Sequence, residues 1–138
     1  MNAGTRSRGD AEICENMIAS QIIEAAIEVH KTLGGPGLLE SVYEDALFQE
    51  LIWRGIQVKS QIHVPILYKH VTLRKPLRLD LLVEERVIVE IKATEENHSV
   101  HKAQVLTYLR LTNLKLGLVL NFGQERLIDG LKRVVNGL

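Results

Sequence analysis

Residues 78–93 read RLDLLVEERVIVEIKA, and this stretch decides the fold. In residues 77–83 the odd positions are Leu77, Leu79, Leu81 and Val83. In residues 87–91 they are Val87, Val89 and Ile91. Apolar residues at every second position predict strands. The charged stretch Glu84-Glu85-Arg86 between the runs predicts a hairpin. Pairing apolar with apolar sets Val83 opposite Val87, Leu81 opposite Val89 and Leu79 opposite Ile91. The same register sets Asp80 opposite Glu90. Directly opposed residues share a face, with Cβ atoms roughly 4.5–5.5 Å apart. Lys92 lies on that face too. Two carboxylates that close repel each other unless a cation sits between them. Carboxylate oxygens are hard donors of the kind Mg²⁺ prefers. The plainer reading is a polar hairpin face with ordinary solvated charges.

Working outward, 138 residues suffice for one domain with one core. The apolar share of 46% and charged share of 25% are those of an ordinary globule. The lone cysteine, Cys14, allows no disulfide framework within the chain and suits a reducing compartment, so the cytoplasm is expected. No apolar run approaches the ~20 residues needed to cross a bilayer, and no membrane role is expected. Residues 1–15 read as a disordered leader and 16–138 as a single domain. Net charge is zero but unevenly spread. Residues 1–50 carry three basic and nine acidic residues, and residues 51–138 carry fourteen basic and eight acidic. The half holding Asp80 and Glu90 is therefore otherwise cationic, which suits a polyanionic substrate.

Residues 17–33 place Ile18, Ile22, Ala25, Ala26, Val29 and Leu33 on one helical stripe, with Asn16 as N-cap. Gly34-Gly35-Pro36-Gly37 ends that helix. A second helix is expected over 38–54, with Leu39, Val42, Ala46, Leu47 and Leu51 on its apolar side. Ile56, Val58, Ile62, Val64, Ile66 and Tyr68 then alternate along one long strand, with Pro65 marking an edge or a bulge. After the hairpin, Ser99 is expected to cap a third helix over about 100–112. Residues 114–122 are nearly all apolar and predict a buried strand. A turn and a last short element follow. The order predicts an α/β sandwich with a mixed sheet.

At this point the residues carry a resemblance. The α-β-β-β-α-β order with Asp80 and Glu90-Ile91-Lys92 resembles the PD-(D/E)xK nuclease-like superfamily. Within it, Gly37, Glu40 and Tyr43 of "GLLESVY" look like the signature of the GxxExxY protein family. The similarity runs on through "RLDLLVE", "VIVEIKA", "HKAQVLTYL" and "LVLNFG", over residues 17–136. The proline of the superfamily's name is missing, since Leu79 precedes Asp80. The resemblance implies a restriction-endonuclease-like core, a mixed central sheet flanked by helices. It also implies Mg²⁺- or Mn²⁺-dependent hydrolysis of phosphodiester bonds in nucleic acid, with DNA favoured. Asp80, Glu90 and the Ile91 carbonyl would be the metal's protein ligands. Lys92 would orient the attacking water and counter transition-state charge. A helix acid at the place of Glu40 would support the metal or its water. Gln104 and Tyr108, four apart on the third helix, resemble the Q-x-x-x-Y pair of RecB-like nucleases and would point into the same site.

Other residues carry weaker signals. Tyr43 is one turn beyond Glu40 and is expected either to hold Glu40 or a substrate phosphate, or to be a half-buried core tyrosine. His101 is expected near a substrate phosphate; with His98 it has spacing that zinc would accept only if the rings converge. Trp53, Arg74, Lys75 and Arg78 are candidates for backbone contacts with nucleic acid. The rival reading is a non-catalytic nucleic-acid-binding or protein-interaction module on a nuclease scaffold. A chain this small is expected to gain substrate grip from a homodimer or a partner protein.

Overall fold

The computed structural model describes residues 8–138. Helix α1 spans Arg8–Thr32 and α2 Glu40–Trp53. Strand β1 spans Val58–Val64, and a two-stranded ribbon follows, β2 Leu67–Tyr68 and β3 Val71–Thr72. Strands β4 Leu77–Val83 and β5 Val87–Lys92 form the expected hairpin. Helix α3 spans Ser99–Thr112 and strand β6 Leu116–Asn121. A 3₁₀ turn at Leu127–Gly130 leads into β7, Leu131–Val135. The main sheet has the order β1-β4-β5-β6-β7. Only β5 and β6 run parallel; the other neighbours are antiparallel. This is the expected mixed sheet, with α3 supplying the crossover that a parallel pair needs.

Two cores sandwich the sheet. Ile18, Ile22, Ala25, Ala26 and Val29 of α1 pack with Tyr43, Leu47 and Leu51 of α2 against Leu81, Val83, Val87, Val89 and Ile91. On the other side Val105 and Leu109 of α3 pack with Leu77, Leu79, Ile88 and Val119. Gly117 on β6 lets α3 approach closely, because a Cβ there would run into the Val105 side chain.

Several expectations need correcting. Helix α1 is described from Arg8 onward, so residues 8–15 are helical where disorder was expected; residues 1–7 lie outside the described residues. Asn16 is therefore an interior helix residue and not the N-cap, and its buried Oδ1 finds no hydrogen-bond partner among the described residues. Leu33, past the end of α1, is exposed, as are Leu39 and Val42. The buried stripe of α2 is Tyr43-Leu47-Leu51 instead. At the start of α3 the cap position is His98, not Ser99, and no side chain caps the helix. The single strand expected over 56–68 is broken at Pro65, which has no N–H for a ladder. Beyond it, Lys69 and His70 both take positive φ, 47° and 70°, in the turn that joins β2 to β3.

The largest correction concerns the faces of the hairpin. The odd residues of β4 do not share one face: Leu77 and Leu79 pack with α3, whereas Leu81 and Val83 pack with α1 and α2. Strand β1 switches at the matching place, with Val58 on the α1–α2 side and Ile62 and Val64 on the α3 side. The β1–β4 ladder pairs Ser60 with Leu81 and Ile62 with Leu79 and skips the position between. That position is Gln61 facing Asp80, and Gln61 has φ 52°. One left-handed residue in β1 thus lets both strands exchange faces together.

Candidate active site

The β4–β5 hairpin is zipped at its turn end by the pairs Val83–Val87, Leu82–Ile88 and Leu81–Val89. Beyond Leu81 the ladder stops. A backbone that leaves its ladder still needs partners for its N–H groups, and two carboxylates supply them. Asp80 N–H donates to Glu90 Oε1 at 3.3 Å. Ile91 N–H donates to Asp80 Oδ2 at 2.9 Å. Each acid is thereby tied to the opposing strand by a side chain, whereas the expected pairing of Leu79 with Ile91 is absent: Leu79 packs with α3 and Ile91 with α1 and α2. The Ile91 N–H points toward β4, and in an extended strand the carbonyl of the same residue points the same way. The Lys92 carbonyl points toward β6 instead, where it accepts from Phe122 N–H at 2.8 Å.

Both acids are nearly out of solvent: Asp80 is 7% exposed and Glu90 4%. Burial is the main cause that pushes the Glu90 carboxyl up to about 8, and the Asp80 charge adds to it; Lys92 pulls in the other direction. Among the described residues, neither acid makes an ion pair.

A cavity of about 390 Å³ opens over these acids. Its lining brings together Asp80, Glu90 and Lys92 from the hairpin, Glu40 from the first turn of α2, and Gln104 and Tyr108 from α3, with Arg78 beside them. The remaining wall is Ile66, Lys75, Pro76 and Leu77. The convergence expected from two helices is therefore present. Gln104 Nε2 donates to the Tyr108 hydroxyl at 2.6 Å, so the i, i+4 pair is locked as a unit. Burial, and next the Glu90 charge, raise the Tyr108 phenol above its ordinary value, so it keeps its proton near neutrality.

Two expected site residues fall outside this lining. Tyr43 is fully buried and stacks on Phe122, with ring centroids 4.7 Å apart. Its hydroxyl donates to the Gly35 carbonyl at 2.7 Å and accepts from Leu38 N–H at 3.1 Å. It is a core residue that ties the glycine loop to α2, and neither of these hydrogen bonds goes to Glu40. His101 stands near Lys92 without lining the cavity. Burial, then Lys92, then His98 lower its proton affinity, so it is neutral near pH 7. The His98 and His101 rings meet edge-on, 5.4 Å between centroids. Among the described residues, no group of three or more histidine, cysteine, aspartate or glutamate side chains is gathered to hold a metal.

Two residues were missed. Glu44 lies one turn beyond Glu40 on α2, and its Oε2 accepts from Gln61 Nε2 at 2.7 Å. Burial, and less strongly the Asp80 charge, raise its proton affinity. The i, i+4 spacing from Glu40 was the available signal. Asn121 closes β6 and is 1% exposed. Its Oδ1 accepts from the N–H groups of Thr94 and Gly123, and its amide donates to Thr94 Oγ1 and Asn97 Oδ1. It pins the loop that follows Lys92. Nothing in the run "LVLNF" distinguished it from a strand end.

The donor set fits a hard divalent cation. Two buried carboxylates lie together and, among the described residues, neither makes an ion pair, and carboxylate oxygens suit Mg²⁺ or Mn²⁺.

The chain belongs to the PD-(D/E)XK nuclease superfamily, whose sequence model matches residues 16–134. The five-stranded mixed sheet with helices on both sides is the restriction-endonuclease-like fold. A search of curated proteins finds no match, and a search of solved structures finds none. No helix among the described residues is long and apolar enough to cross a membrane.

Proposed function

We propose that this chain is a divalent-metal-dependent nuclease of the GxxExxY branch, hydrolysing phosphodiester bonds in nucleic acid, with DNA favoured and the cytoplasm as its setting. The observation that carries the reading is the opened end of the hairpin. There Asp80 and Glu90 crowd together in the same cavity as Lys92, Glu40, Gln104 and Tyr108.

Asp80, Glu90 and the Ile91 carbonyl would hold Mg²⁺ or Mn²⁺. The ion, when bound, supplies Lewis acidity to the scissile phosphate and makes water a stronger acid. Lys92 orients the attacking water and balances negative charge as it grows on the phosphoryl group. Gln104 and Tyr108, fixed to each other, offer polar contacts to a phosphate oxygen or to that water. Glu40 adds a carboxylate from the rim. Arg78 and Lys75 give the entrance the cationic character a polyanion favours. His101, neutral near pH 7, offers a hydrogen bond to phosphate and not a charge. A homodimer or partner protein would add grip that a chain of this size lacks.

The test pairs calorimetric titration with Mg²⁺ and Mn²⁺ with cleavage of labelled single- and double-stranded DNA and RNA. Asp80→Ala should lose metal binding and cleavage together. Lys92→Ala should keep metal affinity and lose about 10²–10³-fold in rate. A wild-type chain that binds nucleic acid with Mg²⁺ or Mn²⁺ and cleaves no substrate would replace this reading with that of a binding module.

A further inference from the structure

We infer that the β2–β3 ribbon is an arm that grips an unpaired stretch of nucleic acid and leads it to the acid cavity. The inference rests on the nuclease reading for its destination, but on the ribbon's own chemistry for its ligand. The ribbon and the residue that follows it project four apolar side chains into solvent, Leu67, Tyr68 and Val71 from the strands and Leu73 just beyond, with Tyr68 58% exposed. Isolated exposed apolar residues are common, but four on so small an element mark a contact surface. Its charge says what it contacts. Residues 65–79 hold Lys69, Arg74, Lys75 and Arg78 and no aspartate or glutamate. An apolar surface on a segment whose charged side chains are all cationic complements a polyanion that also offers flat apolar faces.

The ribbon is tied to the site at its base. Leu73 N–H donates to the Ile66 carbonyl at 2.9 Å. Ile66, Lys75 and Pro76 are themselves part of the cavity wall. Cations therefore run from the cavity, at Arg78 and Lys75, outward to Lys69 at the tip, whose Nζ lies 5.4 Å from the Tyr68 ring centroid.

Single strands fit this element better than duplex. A base within a duplex has both faces covered, whereas an unpaired base has a face free to stack on an aromatic ring. Strands of two residues, roughly 7 Å long, are too short to follow a groove. The shared chemistry of the ligand is an unpaired base with its flanking phosphates, and both DNA and RNA offer it.

The experiment uses the full chain in EDTA, so that no probe is cleaved. Binding of short labelled single-stranded DNA, single-stranded RNA of the same sequence and the matching duplex is followed by fluorescence anisotropy across a salt series. Wild type should prefer a single strand to duplex, and the two single-stranded arms identify which nucleic acid is held. Tyr68→Ala should weaken single-strand binding about tenfold with an unchanged salt slope, and Tyr68→Phe should restore it. Lys69→Ala with Arg74→Ala should reduce the salt slope by about 1.4. The arm is overturned if these variants bind as wild type does, if wild type prefers duplex or binds no strand, or if Tyr68→Ala only turns a dimer into a monomer. Cleavage assays separate the two readings. Ribbon-dependent binding without cleavage sinks the nuclease and leaves the arm; cleavage with indifferent ribbon variants sinks the arm and leaves the nuclease.

Discussion

The two halves of the β4–β5 hairpin are built from adjacent residues and behave as different materials. Toward the turn, Leu81, Val83, Val87 and Val89 are fully buried and the backbone ladder is complete. Toward the open end, Asp80 and Glu90 are nearly as buried, but side chains stand in for the ladder and two like charges share the gap. Burial is the same property in both halves with opposite consequences. It stabilises the apolar half and raises the cost of charge in the acidic half. The apolar half fixes the register, and the register is what forces the acids together.

This contrast predicts a large difference between neighbouring substitutions. Leu81→Ala removes a fully buried side chain from the core beneath α1 and α2 and should cost about 2–5 kcal/mol. Asp80→Asn keeps an oxygen to accept from Ile91 N–H and removes a like charge facing Glu90. In metal-free buffer near pH 8 it should cost far less than Leu81→Ala, or stabilise. Urea denaturation of both variants in EDTA reads the difference directly. Equal losses would mean the acids are structural members of the core.

The same contrast explains what could be read from the sequence. Period-two patterning placed both strands and the three pairs at the turn end, and it brought Asp80 near Glu90, but the pairing it set between Leu79 and Ile91 does not form. Helical spacing set Gln104 and Tyr108 on one face. What patterning could not carry was the exchange of faces at Gln61 and Asp80. It depends on a left-handed φ at a glutamine, and glutamine has no special preference for that region. An alternation continued through that point assigns Leu77 and Leu79 to the wrong core. Tyr43 failed for a related reason. Spacing sets it on the same side of α2 as Glu40, but Glu40 stands at the exposed first turn and Tyr43 one turn deeper, where Phe122 waits. Asparagine favours helix caps by type, but the helix passes through Asn16.

The acidic half should also make stability depend on pH. Glu90 has its proton affinity raised from 4.5 to about 8 in the folded chain. Between those values the folded state holds a proton that the unfolded state has released. Metal-free stability should therefore fall as pH rises through that window, and the loss should be complete above it. Glu90→Gln, which resembles the protonated acid, should flatten this dependence. It should match wild type near pH 4 and exceed it near pH 9. Mg²⁺ or Mn²⁺ should recover wild-type stability at the high end, and should do so less at low pH, where a proton competes for the same oxygens. Thermal melts of the two proteins with and without the ion measure all of this. Parallel curves for wild type and Glu90→Gln would mean that Glu90 is neither buried nor crowded by Asp80 in solution as the structure has it.

The smallest expected effect falls on Tyr43, and it separates core from site most cleanly. Tyr43→Phe keeps the ring stacked on Phe122 and loses the hydroxyl that bridges the Gly35 carbonyl and Leu38 N–H. That loop lies near the surface, so water can replace part of what is lost, and the cost should be about 1 kcal/mol. Cleavage, by contrast, should stay at the wild-type level, because the hydroxyl is committed to the loop and does not line the acid cavity. Tyr108→Phe supplies the control. It removes a hydroxyl that does line the cavity and that holds Gln104, so it should slow cleavage with little change in stability. If Tyr43→Phe slows cleavage as much as Tyr108→Phe does, the glycine loop and α2 must transmit their position to Glu40, and the boundary drawn here between core and site would have to move outward by one helical turn.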